Sequence, residues 1–168
     1  MARSKATGSR GTPATAAAAK AGIAYTLHPY EVAASDGAHT SYGEAAADAL
    51  GVPYERLFKT LLAEVDGDLT VAVVPVATSL DLKALAAAAG GKRAQLAEPR
   101  TAERVTGYVV GGISPLGQRK RLPTVVDTSV SEFATIFVSA GRRGLQIELA
   151  PADLVRLTAA RTAAIAKR

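Results

Sequence analysis

The chain has 168 residues, 48% of them hydrophobic and 5% aromatic, with 20 Lys and Arg against 15 Asp and Glu and no cysteine. That length supports one domain whose core needs no staples and is filled largely by alanine and valine, while the missing cysteines exclude disulfides, thiolate metal sites and a protein-thiol nucleophile. The net charge of +5 favours an anionic partner such as nucleic acid, no apolar run approaches the ~20 residues of a membrane span, and His28 and His39 stand too far apart for a helical zinc pair, so no membrane, metal or cofactor is expected.

Residues 1–11 are small and polar and carry Arg3, Lys5 and Arg10, which reads as a disordered basic tail. The segment lacks an apolar h-region and is no signal peptide, which places the protein in the cytoplasm. Residues 12–168 read as a single domain. Thr12-Pro13 caps and opens a helix through Ala21 that stops at Gly22. Ile23–Tyr30 reads as a strand with Pro29 at its edge, and Val32–Thr40 as a polar loop. Ser41 and Glu44 make a capping box for a helix running to Gly51. Arg56–Val65 and Leu69–Val76 are β-prone runs joined at Asp66-Gly67-Asp68, a strong hairpin signal. A helix over Leu80–Ala89 follows, then a short strand at Gln95-Leu96 and a helix from Pro99 to Gly107. Thr124–Asp127, Ala134–Ser139 and Leu145–Leu149 read as strands, Pro151–Leu157 as a last helix, and the end is alanine-rich. Hairpins mixed with helices predict an α+β domain: a mixed, mainly antiparallel, curved sheet or barrel flanked by helices.

Between Tyr108-Val109-Val110, a β-prone run, and Thr124 lies Gly111-Gly112-Ile113-Ser114-Pro115-Leu116-Gly117-Gln118-Arg119-Lys120-Arg121. Paired glycines permit positive φ and close approach of a ligand, and Pro115 stiffens the turn at Ser114. Backbone N–H groups beside three cations suit an oxyanion; a tight connection with a solvated basic end is the plainer alternative. The string fits neither a P-loop nor the dinucleotide fingerprint. Ser139-Ala140-Gly141-Arg142-Arg143-Gly144 is either a hairpin turn with solvated charge or a phosphate contact through its arginine forks. Lys59 shares a strand face with Leu57 and Leu61, so it either snorkels to the rim or points into a pocket. Tyr30 and Tyr42 flank the polar loop and either line a cleft or pack in the core. No carboxylate pair or nucleophile elbow stands out.

Phe58-Lys59-Thr60-Leu61, Leu80-Asp81-Leu82-Lys83, the run from Thr106 to Gln118 and Val138–Leu145 together resemble the YbaK/EbsC family over roughly residues 12–165. The wording Ile113-Ser114-Pro115-Leu116-Gly117-Gln118 is similar to the YbaK branch, the Cys-tRNA(Pro) deacylases, more than to the branch that clears alanine. The resemblance implies a β-barrel with flanking helices, related to the editing domain of bacterial prolyl-tRNA synthetases. It makes Lys59 the functional lysine, followed by Thr60, and Gly111 the glycine whose N–H meets the scissile carbonyl. Tyr30, Tyr42, Gly112, Ile113, Ser114, Pro115 and Ser139 fall at substrate-facing positions. It implies cleavage of mischarged Cys-tRNA(Pro) by the substrate's own thiol, a hydrolase or lyase step without metal or cofactor. Arg119, Lys120, Arg121, Arg142 and Arg143 would meet the acceptor stem, and prolyl-tRNA synthetase would act as a transient partner. At Gln146 the branch often has an aspartate, so this chain lacks a negative charge near the site. The alternatives are a non-catalytic binding module for an aminoacyl or nucleotide ligand, and a deacylase for another small residue such as alanine on tRNA(Pro).

Overall fold

A computed structural model describes residues 11–32 and 41–168. The expected disordered tail, apart from Gly11, and the loop residues 33–40 with Asp36 and His39 lie outside the described residues.

Local chemistry sets the helix ends. In α1 (Pro13–Ala21) the Thr12 hydroxyl accepts the Thr15 N–H at 3.0 Å, and Gly22 closes the helix at φ 70°. Only Ala14 and Ala18 are buried, so this small-residue face lets the helix lie close to the sheet. Thr12 also donates from Oγ1 to the Ala140 carbonyl, and a Cβ on Gly117 would stand 2.4 Å from the Pro13 carbonyl oxygen. The helix start is thus pinned against both glycine-bearing loops. In α2 (Tyr42–Leu50) Ser41 and Glu44 form the expected reciprocal cap.

β2 (Phe58–Val65) and β3 (Asp68–Pro75) form the hairpin announced by Asp66-Gly67: both residues have positive φ, 50° and 91°, as a two-residue turn of matching twist requires. The Asp66 carboxylate accepts the Lys92 and Arg93 N–H groups at 2.9 and 3.0 Å. This contact brings in β5 (Ala94–Leu96) beside β2. β3 is buried from Thr70 to Pro75, the continuous run of a strand covered on both faces. β6 (Thr124–Asp127) joins β3 in parallel, and β9 (Arg161–Ala163) joins β6 in parallel, giving the order β5-β2-β3-β6-β9. A second, antiparallel sheet runs β1-β8-β7, from Tyr25–Pro29, Leu145–Leu149 and Ile136–Arg142. Leu57 bridges to Phe137 between the sheets. Three more helices complete the α+β fold: α3 (Leu82–Ala88), α4 (Pro99–Thr106) and α5 (Pro151–Thr158).

Several expectations need correction. Tyr108-Val109-Val110 is no strand: Glu103 takes the Val110 N–H at 2.8 Å and the Thr106 hydroxyl takes the Tyr108 N–H at 3.2 Å, so side chains hold the donors a ladder would use. Leu80 belongs to β4 (Ser79–Leu80), because Asp81 caps α3 one residue later. The last central run starts at Ile136 and extends to Arg142. The alanine-rich end holds two strands that the sequence conceals, β9 and β10 (Ala166–Lys167), the latter paired with β4.

Asp127 explains how so weak a segment is held. It is 2% exposed; Oδ1 accepts the N–H groups of Ile165 and Ala166 at 2.9 and 3.0 Å, and Oδ2 accepts the N–H and hydroxyl of Ser129. Burial pushes its carboxyl up, but these donors together outweigh burial and hold it below the usual range. A carboxylate so depressed contributes stability above its unfolded value, near pH 3.9, and loses it as pH falls through the folded value. Asp127→Ala is expected to cost about 3 kcal/mol in urea unfolding at pH 7. The difference from wild type should shrink on acidification below pH ~4; an equal loss at all pH values would show a packing role only.

Candidate active site

Alternation along β2 puts Lys59 between Leu57, 1% exposed in one core cluster, and Leu61, packed against another. Its side chain enters a pocket of about 280 Å³. The walls come from β2, the start of α2 (Ser41, Tyr42, Gly43), the β5–α4 connection (Leu96, Ala97, Pro99) with Ala102, then Val110, Gly111 and Ile113, and Ser139 and Gln146 of the second sheet. Burial lowers the Lys59 pKa, partly opposed by Glu44 in the first turn of α2. No carboxylate stands within ion-pair distance of Lys59 among the described residues.

The turn beside it is shaped by its neighbours. The Gly112 N–H is taken by Val109 O at 2.8 Å and the Val110 N–H by Glu103. Of the three, Gly111 alone keeps an N–H with no acceptor among the described residues. Its φ of 92° needs glycine. Arg143 holds this turn in place: Nε and Nη2 both donate to Val110 O, at 2.9 and 2.7 Å, and the guanidinium lies 4.5 Å from the Tyr42 ring centroid. Two of its five N–H donors are thus engaged with the turn.

Tyr42, Lys59, Thr60, Gly111, Ile113 and Ser139 converge on the pocket. Gly112, Ser114 and Pro115 are buried outside its wall. Gly112 packs so closely that a Cβ would lie 2.8 Å from the Arg142 backbone, and the Ser114 hydroxyl accepts the Leu116 N–H at 3.1 Å. Tyr30 packs against another cluster, with Val52 and Tyr54 around Leu57 and Phe137, and is not in the wall. Arg119, Lys120, Arg121 and Arg142 are exposed. Arg119 and Lys120 bond through their N–H groups to Thr106 O and Val105 O, which sets them beside α4. The outer face of α4 adds Arg100 and Arg104, while Ala102 and Val105 face inward.

Sequence reasoning missed Leu96, Ala97, Pro99 and Ala102, since nothing local marks a wall built by long-range packing. Among the described residues the wall contains hydroxyls, amides and the Lys59 ammonium but no carboxylate or imidazole. Among the described residues no group of three His, Asp or Glu could hold a metal ion, and no helix is long and apolar enough to cross a membrane.

Comparison with known proteins agrees with this architecture. The model of the aminoacyl-tRNA editing domain matches residues 36–157. A relative from Enterococcus faecalis, named as a candidate Cys-tRNA(Pro)/Cys-tRNA(Cys) deacylase, EbsC, is 43% identical over 77% of this chain and 78% of its own. A multifunctional Ser/Thr-tRNA deacylase from Escherichia coli, ProXp-y, is 31% identical over 68% of this chain and 71% of its own. The crystal structure of a candidate trans-editing enzyme for prolyl-tRNA synthetase superposes with a TM-score of 0.80 at 22% identity, covering 95% of this chain and all of the other. With the motifs, the fold and the pocket all in accord, the chain belongs to the aminoacyl-tRNA editing domain family.

Proposed function

We propose that the protein is an aminoacyl-tRNA deacylase that clears Cys-tRNA(Pro) in trans, with the substrate's thiol as nucleophile. The observation that carries this reading is a pocket that, among the described residues, holds a cation and an unengaged backbone N–H but no carboxylate or imidazole. The ester carbonyl would accept from the Gly111 N–H, a kind of donor whose loss costs ~3–4 kcal/mol of transition-state stabilisation. Lys59 holds the substrate or its terminal nucleotide by charge. The thiolate sulfur attacks the carbonyl carbon, the ester C–O bond breaks, and the thiol proton ends on the departing ribose oxygen. The immediate product is a β-thiolactone, so the first step is lyase-like and water enters afterwards. Arg119, Lys120, Arg121 and Arg142 meet acceptor-stem phosphates, joined by Arg100 and Arg104. Prolyl-tRNA synthetase supplies selection for tRNA(Pro), and the reaction belongs to the cytoplasm, where charged tRNA is used.

The names of two relatives favour different side chains, so the test compares them. Purified protein is given Cys-, Ser-, Ala- and Pro-charged tRNA(Pro), and ester loss is followed at substoichiometric enzyme. Cys-tRNA(Pro) is expected to clear on the order of 100-fold faster than Ser-tRNA(Pro), because a thiol is partly ionised near neutrality and a hydroxyl is not. The rate should rise with pH as the thiolate fraction grows. Equal clearance of Cys and Ser esters would point to an activated water instead. Protection without turnover would indicate a binding module.

A further inference from the structure

Two pocket-lining residues each carry a buried polar atom with no hydrogen-bond partner among the described residues. Gln146 is 4% exposed, and its Oε1 is buried without a hydrogen bond among the described residues; Thr60 Oγ1 is in the same state. Both residues line the same pocket from different sheets. The Gln146 backbone is fixed on both sides, opposite His28 in β1 and Ser139 in β7, so its side chain is not free to leave for solvent. Buried polar atoms without partners are rare and costly, and their presence in a ligand pocket calls for a ligand group that completes them.

An aminoacyl ester brings such a group whatever its side chain. The α-ammonium presents three N–H donors and no acceptor, and both orphaned oxygens can accept. Among the described residues the wall offers it no carboxylate. We propose that Gln146 Oε1 and Thr60 Oγ1 form the subsite that receives the α-ammonium of the aminoacyl group and so orients its carbonyl toward Gly111. The proposal rests on the deacylase reading and is independent of which side chain is cleared. It gives the pocket a means of disfavouring a prolyl ester, whose nitrogen carries two hydrogens in directions set by the ring.

The test is a cycle between enzyme and substrate. Cysteinyl and alanyl esters of tRNA(Pro) are compared with their α-hydroxyacyl counterparts, 3-mercaptolactyl and lactyl, which replace only the ammonium. Wild type should cleave the aminoacyl ester with kcat/KM at least roughly tenfold above the hydroxyacyl ester, since an unfilled polar subsite discriminates strongly. Gln146→Leu should bring that ratio to near one by slowing the aminoacyl ester, with a melting temperature at or above wild type because the orphaned amide is gone. Thr60→Val should reduce the ratio in the same direction and carries the test alone if Gln146→Leu does not fold. An unchanged aminoacyl-to-hydroxyacyl ratio in a folded Gln146→Leu variant overturns the proposal. So does a change confined to serine-versus-alanine preference, which would assign the subsite to the side chain. A wild type inert toward every ester overturns the deacylase reading itself, and is distinguished by the absence of any wild-type ratio.

Discussion

Lys59→Ala should lower kcat/KM for ester cleavage by on the order of 10²–10³-fold and leave the fold intact. The side chain makes no ion pair among the described residues, and burial disfavours its charged form. A lysine whose pKa is lowered on folding costs stability while protonated, and that cost fades as pH rises from the folded value to the ordinary one. The variant should therefore melt at or slightly above the wild-type temperature at neutral pH, while losing function. Such an opposition marks a group kept for its charge toward a ligand. Lys59→Arg restores charge but brings a planar fork into a site shaped for a point charge, so only partial recovery is expected. Full activity of the alanine variant at matched concentration would remove Lys59 from the mechanism.

Gly111→Ala is the second large effect. The added Cβ would meet Arg143 Nε at 2.7 Å and the Tyr42 ring at 2.9 Å, at a φ of 92° that side chains rarely adopt. Arg143 must then shift from Val110 O, and the Tyr42 stacking with it, so the free N–H loses its aim. Single-turnover cleavage should fall on the order of 100-fold, with KM changed far less. Strain at this φ should also cost ~1–3 kcal/mol of stability. Normal single-turnover rates with weakened binding would make the glycine structural only. The sequence marks Gly111 only as a place where a ligand can come close; the structure puts Arg143 and Tyr42 in the path of the methyl group.

That difference shows what the sequence can and cannot convey. Thr12-Pro13, Ser41 with Glu44, and Asp66-Gly67 are legible because caps and tight turns are decided within a few residues. Lys59 is legible because a cation between two leucines violates strand patterning. The bond from Arg143 to Val110 O is not legible, because its partner is 33 residues away and an arginine beside a glycine reads from sequence as a phosphate contact or a solvated charge. Gln146 is visible in sequence only as a missing charge; its orphaned oxygen emerges once two sheets enclose it. Ala166 and Lys167 have no strand propensity to speak of, and their place is set by Ser79, Leu80 and a carboxylate on β6.

The clamp at Asp127 also bears on the order of events when the chain folds. The caps and the β2–β3 hairpin can form from neighbours in microseconds. By contrast, β9 and β10 dock on β6 and β4 from the middle of the chain, so their contacts close far longer loops than the hairpin does. The Ile165 and Ala166 amides, bonded to Asp127, report on that docking. Their exchange with deuterated solvent should track detachment of the C-terminal segment, ahead of the β3 amides that await global opening.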